Sequence, residues 1–580
     1  MKPPADSTAM NDHKKHARHG GQILVDQLKI HGADLAFCVP GESYFPVLDA
    51  LYESRDSIRL ITCRHEGGAA NMAEAYGKLT GNPGICLVTR GPGATNASIG
   101  VHTAFQDSTP MILFIGQVGN DFVEREAFQE IDYRRMFGQM AKWVAQIDRV
   151  ERIPEYIARA YQVATSGRMG PVVLALPEDT LSAISDVADA RRYQHGQVIG
   201  PSPGTQALAR VSSLLSEAKN PFVIVGGSGW NAESCADLRH FIETQNLPIG
   251  CAFRFQDLFD NSHANYAGDV GIGINPKLAE RIKNADVVLV IGARLGEMTT
   301  SGYTVFAAPI PKQKLIHVHA GAEELGRVYQ ADVMINSTVS AFAKALAALP
   351  RVTNSSVNPT DPNRDYQHWQ GLKEIPGAVQ MWDVMQTLEA VLPTDAILTN
   401  GAGNYATWVH RFHRYGGKGK FRTQLAPTSG AMGYGVPAAI AAKAYDSSRT
   451  VVCFAGDGCF LMTGQELATA VQYQLNVIFI VVNNSMYGTI RMHQEREFPG
   501  NVHGTALVNP DFAAYAKSFG AHGEIVERTE QFAAAFERAR NAGKPALIEI
   551  RIDAEAISPN TTLSAIRETA MGAKKNSQHG

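Results

Sequence analysis

At 580 residues the chain is too long for one hydrophobic core and implies about three or four domains. An apolar fraction of 45% with 19% charged residues is that of a folded soluble protein, and a formal charge of −3 gives no reason to expect nucleic acid or an anionic membrane as partner. No apolar run reaches the roughly 18 residues that a membrane span needs, and seven scattered cysteines without a CxxC pair argue against structural zinc and a disulfide framework and for reduced thiols in a cytoplasmic protein.

Residues 1–20 are polar, carry Lys14, Lys15, His16, Arg18 and His19, and lack an apolar signal core, so they read as a disordered tail. Over 21–187 helices alternate with short apolar strands, the pattern of an α/β layer fold. The spacing predicts a helix over 22–31 and strands over 35–39, 58–61, 85–89 and 111–115, with a last strand inside 168–177. Glu66 opens a helix in RHEGGAANMAEAYGKLTG, and GPGATN follows the 85–89 strand. An acidic residue in a first helical turn favours the helix dipole whether or not it has another task. Gln117 ends the 111–115 strand and Phe128 lies in EAFQEID; a strand-end amide and a core aromatic are the plain readings of both.

Residues 186–205 read as a linker, and 205–350 as a second α/β domain. Its strands at 221–225, 286–291 and 314–318 run into Gly226-Gly227-Ser228-Gly229, Gly292-Ala293-Arg294 and His319. Glycines after strands suit a nucleotide fold, but GGSG is an incomplete dinucleotide fingerprint. A second linker is expected over 351–375, a third domain over 376–568, and a tail over 569–580. In the third domain the strand at 396–399 enters Gly401-Ala402-Gly403-Asn404-Tyr405, a turn whose amides suit an anion as well as an ordinary strand-to-helix connection.

VVCFAGDGCFLMTGQELATAVQYQLNVIFIVVNNSMYG, residues 451–488, reads as strand, tight turn at Gly456-Asp457-Gly458, helix, and a second strand stopping at Asn483-Asn484. Parallel strands joined by a right-handed crossover end on the same sheet edge. Asp457 and Asn484 can therefore meet, and a carboxylate plus an amide oxygen beside a glycine turn and a helix N-terminus make a site for a hard cation and phosphate. The alternative at this point is a Rossmann-like unit whose Asp caps a helix and whose Asn residues turn the chain.

GDG followed at this distance by NN closely resembles the thiamine diphosphate (ThDP) motif of ThDP-dependent enzymes. RHEGGAANMAEAYGKLTG with GPGATN, AFQDSTPMILFIGQV, EAFQEID and QLAPTSGAMGYGVP resemble, in order, the acetolactate synthase-like branch of that family over about residues 21–568. The resemblance implies three doubly wound parallel-sheet α/β domains: pyrimidine-binding, central and diphosphate-binding. It implies that Mg2+ is held by Asp457, Asn484 and the Met486 carbonyl, and that Gly403, Asn404, Tyr405, Gly456, Gly458, Cys459, Tyr487 and Gly488 lie against the cofactor. The Gly430 carbonyl would accept from the 4′-amino group, and Met432 would wedge beneath a bent cofactor. Glu66 would hydrogen-bond N1′ of the aminopyrimidine, promoting the imino tautomer that takes the C2 proton to give the ylide. A carboxyl kept dry, with its pKa raised towards neutrality, suits that work. In the family Glu66 serves a site on another subunit, which implies a homodimer or homotetramer.

Gln117 and Phe128 match positions that line the substrate pocket in that branch, and Arg491 and His493 are candidate substrate contacts in a polar 489–494 segment expected to be mobile. Three departures bear on the substrate. Met298 stands where acetolactate synthases carry the arginine for the second keto acid's carboxylate, His493 replaces a Trp, and Glu178 replaces a Lys. Methionine cannot make a charge-assisted clamp. FAD, which those enzymes hold in the central domain opposite the residue matching Arg294, is accordingly an open expectation. The expected activity is decarboxylation of a 2-keto acid with transfer of the carbanion equivalent to a second carbonyl. A non-ligating 2-keto acid decarboxylase or C–C lyase is the alternative, and a flavin-linked 2-keto acid oxidase a further one; a non-catalytic nucleotide-binding module is disfavoured by the joint presence of Glu66, Asp457 and Asn484.

Overall fold

The computed structural model describes residues 17–192, 200–352, 361–416 and 421–578, with side chains to 574. Three six-stranded sheets organise it, every strand pair within them parallel. The first comprises β1 (Leu35–Cys38), β2 (Arg59–Thr62), β3 (Gly84–Val88), β4 (Met111–Gln117), β5 (Trp143–Gln146) and β6 (Pro171–Pro177), in the order β2-β1-β3-β4-β6-β5. The central one comprises β7 (Pro221–Val225), β8 (Ile249–Ala252), β9 (Tyr266–Val270), β10 (Val287–Ile291), β11 (Lys314–His319) and β12 (Val333–Asn336), in the order β9-β8-β7-β10-β11-β12. The third comprises β13 (Ile397–Asn400), β14 (Gln424–Leu425), β15 (Val451–Gly456), β16 (Ile478–Asn483), β17 (His522–Val526) and β18 (Ala546–Arg551), in the order β14-β13-β15-β16-β18-β17.

The inner strands are unbroken apolar runs because helices cover both faces of each sheet; β4, β6, β10 and β16 are buried at every residue. The first and third sheets share one winding order, while the central sheet has the doubly wound dinucleotide order. In each, the strand order reverses between the first and the third or fourth strand, and that reversal opens a crevice at the carboxyl edge. The expected fold is thus the observed one.

The first and third domains share a core. Alanines and glycines let the helix Glu66–Thr80 lie close against Gly435–Tyr445. Polar clamps fix the junction. Lys78 Nζ donates to Asp107 at 2.7 Å and to the Ala426 carbonyl at 2.5 Å. Asp107 accepts from the Thr428 amide at 2.7 Å, and Tyr434 donates to Glu74. Burial, and then the field of Asp107, push the Glu74 carboxyl up to about 7. Removing one member of a buried pair such as Lys78–Asp107 leaves its partner's charge uncompensated and typically costs about 3–5 kcal/mol.

Several boundaries differ from those expected. Arg18–His19 pairs with Ile184–Ser185, so the N-terminal tail ends before residue 18, and residues 1–16 lie outside the described residues. The 351–375 linker contains the helix Pro362–Trp369, which packs on β9 through Tyr366, edge-on to Tyr266 at 5.0 Å. Its start was written in the sequence as Asp361 at the N-cap and Pro362 in the first turn. Gly456 completes its strand and a helix begins at Asp457 without the predicted turn, and the crossover runs through short pieces, Asp457–Leu461, Gly464–Glu466 and Leu467–Gln472. The 489–494 segment is not a loop but part of the helix Gly488–Glu497. Against it packs a helix, Leu563–Gln578, over most of the predicted C-terminal tail. The join is ionic: Glu495 accepts from Arg491 and from Arg567, and the pair holds its carboxyl down at about 2. Among the described residues no helix is long and apolar enough to cross a membrane.

Candidate active site

In the third sheet the strand order reverses between β13 and β15, and the two connections leaving these strands carry the anion turn and the acid. After β13 the turn Gly401–Tyr405 places Gly403 at φ 143°, a conformation that side-chain-bearing residues avoid. The buried Tyr405 hydroxyl accepts from the Gly401 amide at 3.0 Å and meets Cys459 Sγ at 3.3 Å. Cys459 Sγ in turn accepts from the Gly433 amide at 3.2 Å. Tyr405 and Cys459 thus spend their side chains stapling the turn to the segment after Gly430, and only their backbones are left for a ligand.

After β15 comes Asp457, 3% exposed. One carboxylate oxygen accepts from the Gly458 amide at 2.9 Å, the other from Asn509 Nδ2 at 2.8 Å, and the amides of Ser485 and Met486 also bear on it. No cationic side chain pairs with it among the described residues, and burial pushes its pKa up. Asn509 Nδ2 reaches Asn483 Oδ1 as well, at 3.0 Å, while Asn509 Oδ1 is buried without a partner. Asn483 is locked onto Glu549 at 2.8 Å; half-buried Asn484 lies over Gly488, where an added Cβ would stand 3.1 Å from Asn484 Nδ2. The Met486 carbonyl accepts from the Gly488 amide at 2.9 Å, and the Tyr487 ring packs over Gly458. An un-neutralised carboxylate with an orphaned amide oxygen and a carbonyl nearby is an oxygen donor set for a hard divalent cation. Among the described residues no three His, Cys, Asp or Glu side chains gather, so a cation here would rest on mixed carboxylate, amide and carbonyl oxygens.

A cavity of about 640 Å3 runs from Gly403, Asn404, Gly430 and Thr489 to the carboxyl edge of the central sheet at Gly227, Asp269 and Arg294. There Gly227 and Gly292 approach so closely that a Cβ on Gly227 would stand 2.1 Å from the Gly292 carbonyl. Thr489 Oγ1 accepts from the Asn404 amide at 3.1 Å and donates to its side chain at 2.9 Å. Gly430, at φ 67°, is exposed, and Met432 is half-buried against the third domain's core. Arg254 in the wall donates to His410 Nε2 at 2.6 Å, and burial beside that guanidinium keeps the ring neutral. Arg294 pairs with Glu324 at 3.2 Å, which also takes Arg168 at 2.9 Å.

The first-domain candidates gather separately, around the carboxyl ends of β2 to β4. Glu66 is half-buried and accepts from Asn96 Nδ2 at 2.9 Å. The dry pocket expected around it is not built by this chain alone. Gln117 is spent inside, donating to the Ile131 carbonyl at 3.0 Å and accepting from the Val118 amide at 3.1 Å. Phe128 is 72% exposed rather than in a core. Among the described residues neither a hydrogen bond nor the large cavity joins Glu66 to Asp457, Gly403 or Gly430. Arg491 is tied to Glu495, and His493 is exposed. Glu178 pairs with Arg90, which also reaches Glu42 at 3.2 Å. Sequence reasoning missed Asn509 and Arg254 as site residues. Asn509 lies in the loop just ahead of Asp511, the N-cap of the helix Phe512–Ser518.

Family models match the chain in domain order: "Thiamine pyrophosphate enzyme, N-terminal TPP binding domain" over residues 18–136, "central domain" over 208–346 and "C-terminal TPP binding domain" over 401–550. The chain is 30% identical over 537 residues to the acetolactate synthase isozyme 2 large subunit of Escherichia coli, covering 92% of this chain and 96% of that one. It is 31% identical over 560 residues to the acetolactate synthase large subunit of Corynebacterium glutamicum, covering 93% and 87%. It is 28% identical over 559 residues to the mitochondrial acetolactate synthase catalytic subunit of Saccharomyces cerevisiae, covering 92% and 80%. Three matched domains in order, on three parallel sheets, and relatives matched along nearly their whole length place the chain in the acetolactate synthase-like family of ThDP-dependent enzymes.

Proposed function

We propose that this ThDP enzyme decarboxylates a 2-keto acid and joins the resulting fragment to a second carbonyl compound, with Mg2+ as the ion beneath the diphosphate. The observation that carries the reading is Asp457, a buried carboxylate without a cationic partner beside an orphaned amide oxygen, at the edge where the Gly403–Tyr405 turn presents its amides. When bound, ThDP supplies the carbon nucleophile and the electron sink. Asp457, Asn484 and the Met486 carbonyl hold the ion, with Asn509 fixing the carboxylate. Amides of Gly403 and Tyr405 would face the diphosphate, Asn404, whose amide is held by Thr489, would line the same turn, and Gly456, Gly458, Cys459, Tyr487 and Gly488 would pack around it. The Gly430 carbonyl would accept a hydrogen bond from the 4′-amino group, and Met432 would support the cofactor.

Glu66 holds the proton exchanged with N1′, from a neighbouring subunit. Its half-exposed carboxylate and the exposed Phe128 fit a surface completed by a second copy, hence a homodimer or homotetramer. Gln117, Arg491 and His493 are supporting residues in this reading rather than direct substrate contacts, since the first two are held by their neighbours. The central cavity, with its close glycine pair and Arg294, suits FAD or another nucleotide, and seven free cysteines fit a cytoplasmic enzyme.

Met298 in the cavity wall, a thioether that cannot make a charge-assisted clamp on a second keto acid's carboxylate, favours a non-ligating decarboxylase as the second reading. Pyruvate turnover with product identification decides between them. Acetolactate is the expected product; acetaldehyde alone would move the assignment to the decarboxylase, and acetate with consumption of an electron acceptor to a flavin-linked oxidase.

A further inference from the structure

A second cavity, of about 400 Å3, lies where the three domains meet. Its wall includes Lys78 and Asp107 of the first domain, Ser228 and Trp230 of the central one, and Arg422 of the third. Lys78 and Asp107 neutralise each other at 2.7 Å. Arg422 does not have that relief. Its side chain is in the interior, 9% exposed, and among the described residues no carboxylate lies within ion-pair distance of it. Its one hydrogen bond runs from Nη2 to the Trp230 carbonyl at 3.3 Å. The acid whose field reaches it, Asp257, is occupied by the amides of Thr423 at 2.9 Å and Gln424 at 3.2 Å. The cavity wall therefore carries one net positive charge.

A buried guanidinium without an anion is costly, and proteins pair such groups or give them a ligand. The other features of the wall point the same way. It lies at the carboxyl end of β7, next to the central sheet's reversal point, where ligands of open α/β sheets bind. The helix Ala232–Gln245 starts immediately after Trp230 and Asn231 and turns its positive end to this corner. The rings of Trp230 and Phe255 line the wall and offer apolar surface beside the charge.

We propose that this cavity binds a small organic anion, a carboxylate or phosphate monoester on a compact apolar body, with its charge on Arg422 and its body against Trp230 and Phe255. The anionic group has two possible sources: a free metabolite-sized ligand, or the phosphate of a nucleotide lying in the large cavity, which shares Asp107 and Phe255 with this one. Either ties Arg422, two residues before Gln424 of β14, to the other two domains and so to the Pro427–Gly430 segment of the active site.

The test titrates the ThDP- and Mg2+-saturated enzyme by calorimetry with phenyl phosphate and, separately, with ADP. Phenyl phosphate is expected to bind the native enzyme saturably and at least about tenfold more weakly to Arg422→Gln, the loss of one charge-assisted contact. Because Arg422 is interior, Ser228→Leu serves as the second variant: it leaves the guanidinium in place, fills the cavity, and is expected to weaken binding likewise. Binding of ADP alone, with the same dependence on both variants, supports the site and identifies a nucleotide phosphate as its anion. Absence of binding by either probe up to about 10 mM, or binding that neither variant alters, overturns the proposal.

Discussion

Glu66→Gln is expected to leave the enzyme able to bind ThDP while slowing exchange of the cofactor's C2 proton by about 10²–10⁴-fold, the usual worth of a positioned acid–base group. The amide keeps the hydrogen-bonding shape towards N1′ but cannot hold and release the proton there. Neither partner loss nor a cavity confounds the variant. Among the described residues Glu66 takes part in one side-chain hydrogen bond, from Asn96 at 2.9 Å, and an amide can replace it. Exchange followed by NMR at the native rate would remove Glu66 from the mechanism.

The second large effect is at the ion. Asp457→Ala is expected to abolish the Mg2+ dependence of ThDP binding and to weaken the cofactor by at least about a hundredfold, more than loss of a merely supporting group. Asn509→Leu, which removes the group holding Asp457 at 2.8 Å, should cost about ten- to a hundredfold by the same titration. The sign of the stability change separates a ligand from a structural acid. Burial raises the Asp457 pKa and no cation offsets its charge, so without metal the carboxylate opposes folding at neutral pH. In the metal-free native protein that cost should therefore be relieved as pH falls and the carboxylate takes up a proton, and saturating Mg2+ should suppress this pH dependence. A pH dependence that saturating Mg2+ leaves in place, with an unchanged cofactor titration for Asp457→Ala, would contradict the assignment.

Much of this was legible in the chain because the relevant signals are local. Continuous apolar runs such as Val451–Gly456 and Ile478–Asn483 are strands buried on both faces, and they fixed the α/β class and the pairing that brings Asp457 to the end of β16. What stayed hidden depends on long-range placement. Asn509 joins the site from a loop more than fifty residues after Asp457, and nothing in its own neighbourhood distinguishes an amide that props a carboxylate from one that turns the chain. Gln117 looked available and is not, since its amide folds back on the Ile131 carbonyl. The polar run at 489–494 looked mobile because its partner, the helix Leu563–Gln578, lies far along the chain and was read as a tail from residue 569 on; Arg567, just ahead of that point, ties the helix to Glu495. Tyr405 was rightly located at the turn, but its hydroxyl faces inward to Gly401 and Cys459.

Legibility also failed at the edge of the first domain. Glu66 is half-exposed, and Phe128, in the loop linked to the same edge through Gln129 and Gly91, is 72% exposed, so this region looks unfinished in one chain. The account requires that Glu66 and Asp457 act on one cofactor from different subunits.

Mixing the two inactive variants tests that requirement most directly. Glu66→Gln and Asp457→Ala chains, dissociated together and reassembled, form hybrid dimers in which one site carries both defects and the other neither. With random pairing, activity should recover to roughly a quarter of the native value, as two-fold symmetry dictates. If Glu66 and Asp457 of the same chain formed each site, every site in the mixture would carry one defect, and the reassembled protein would stay inactive.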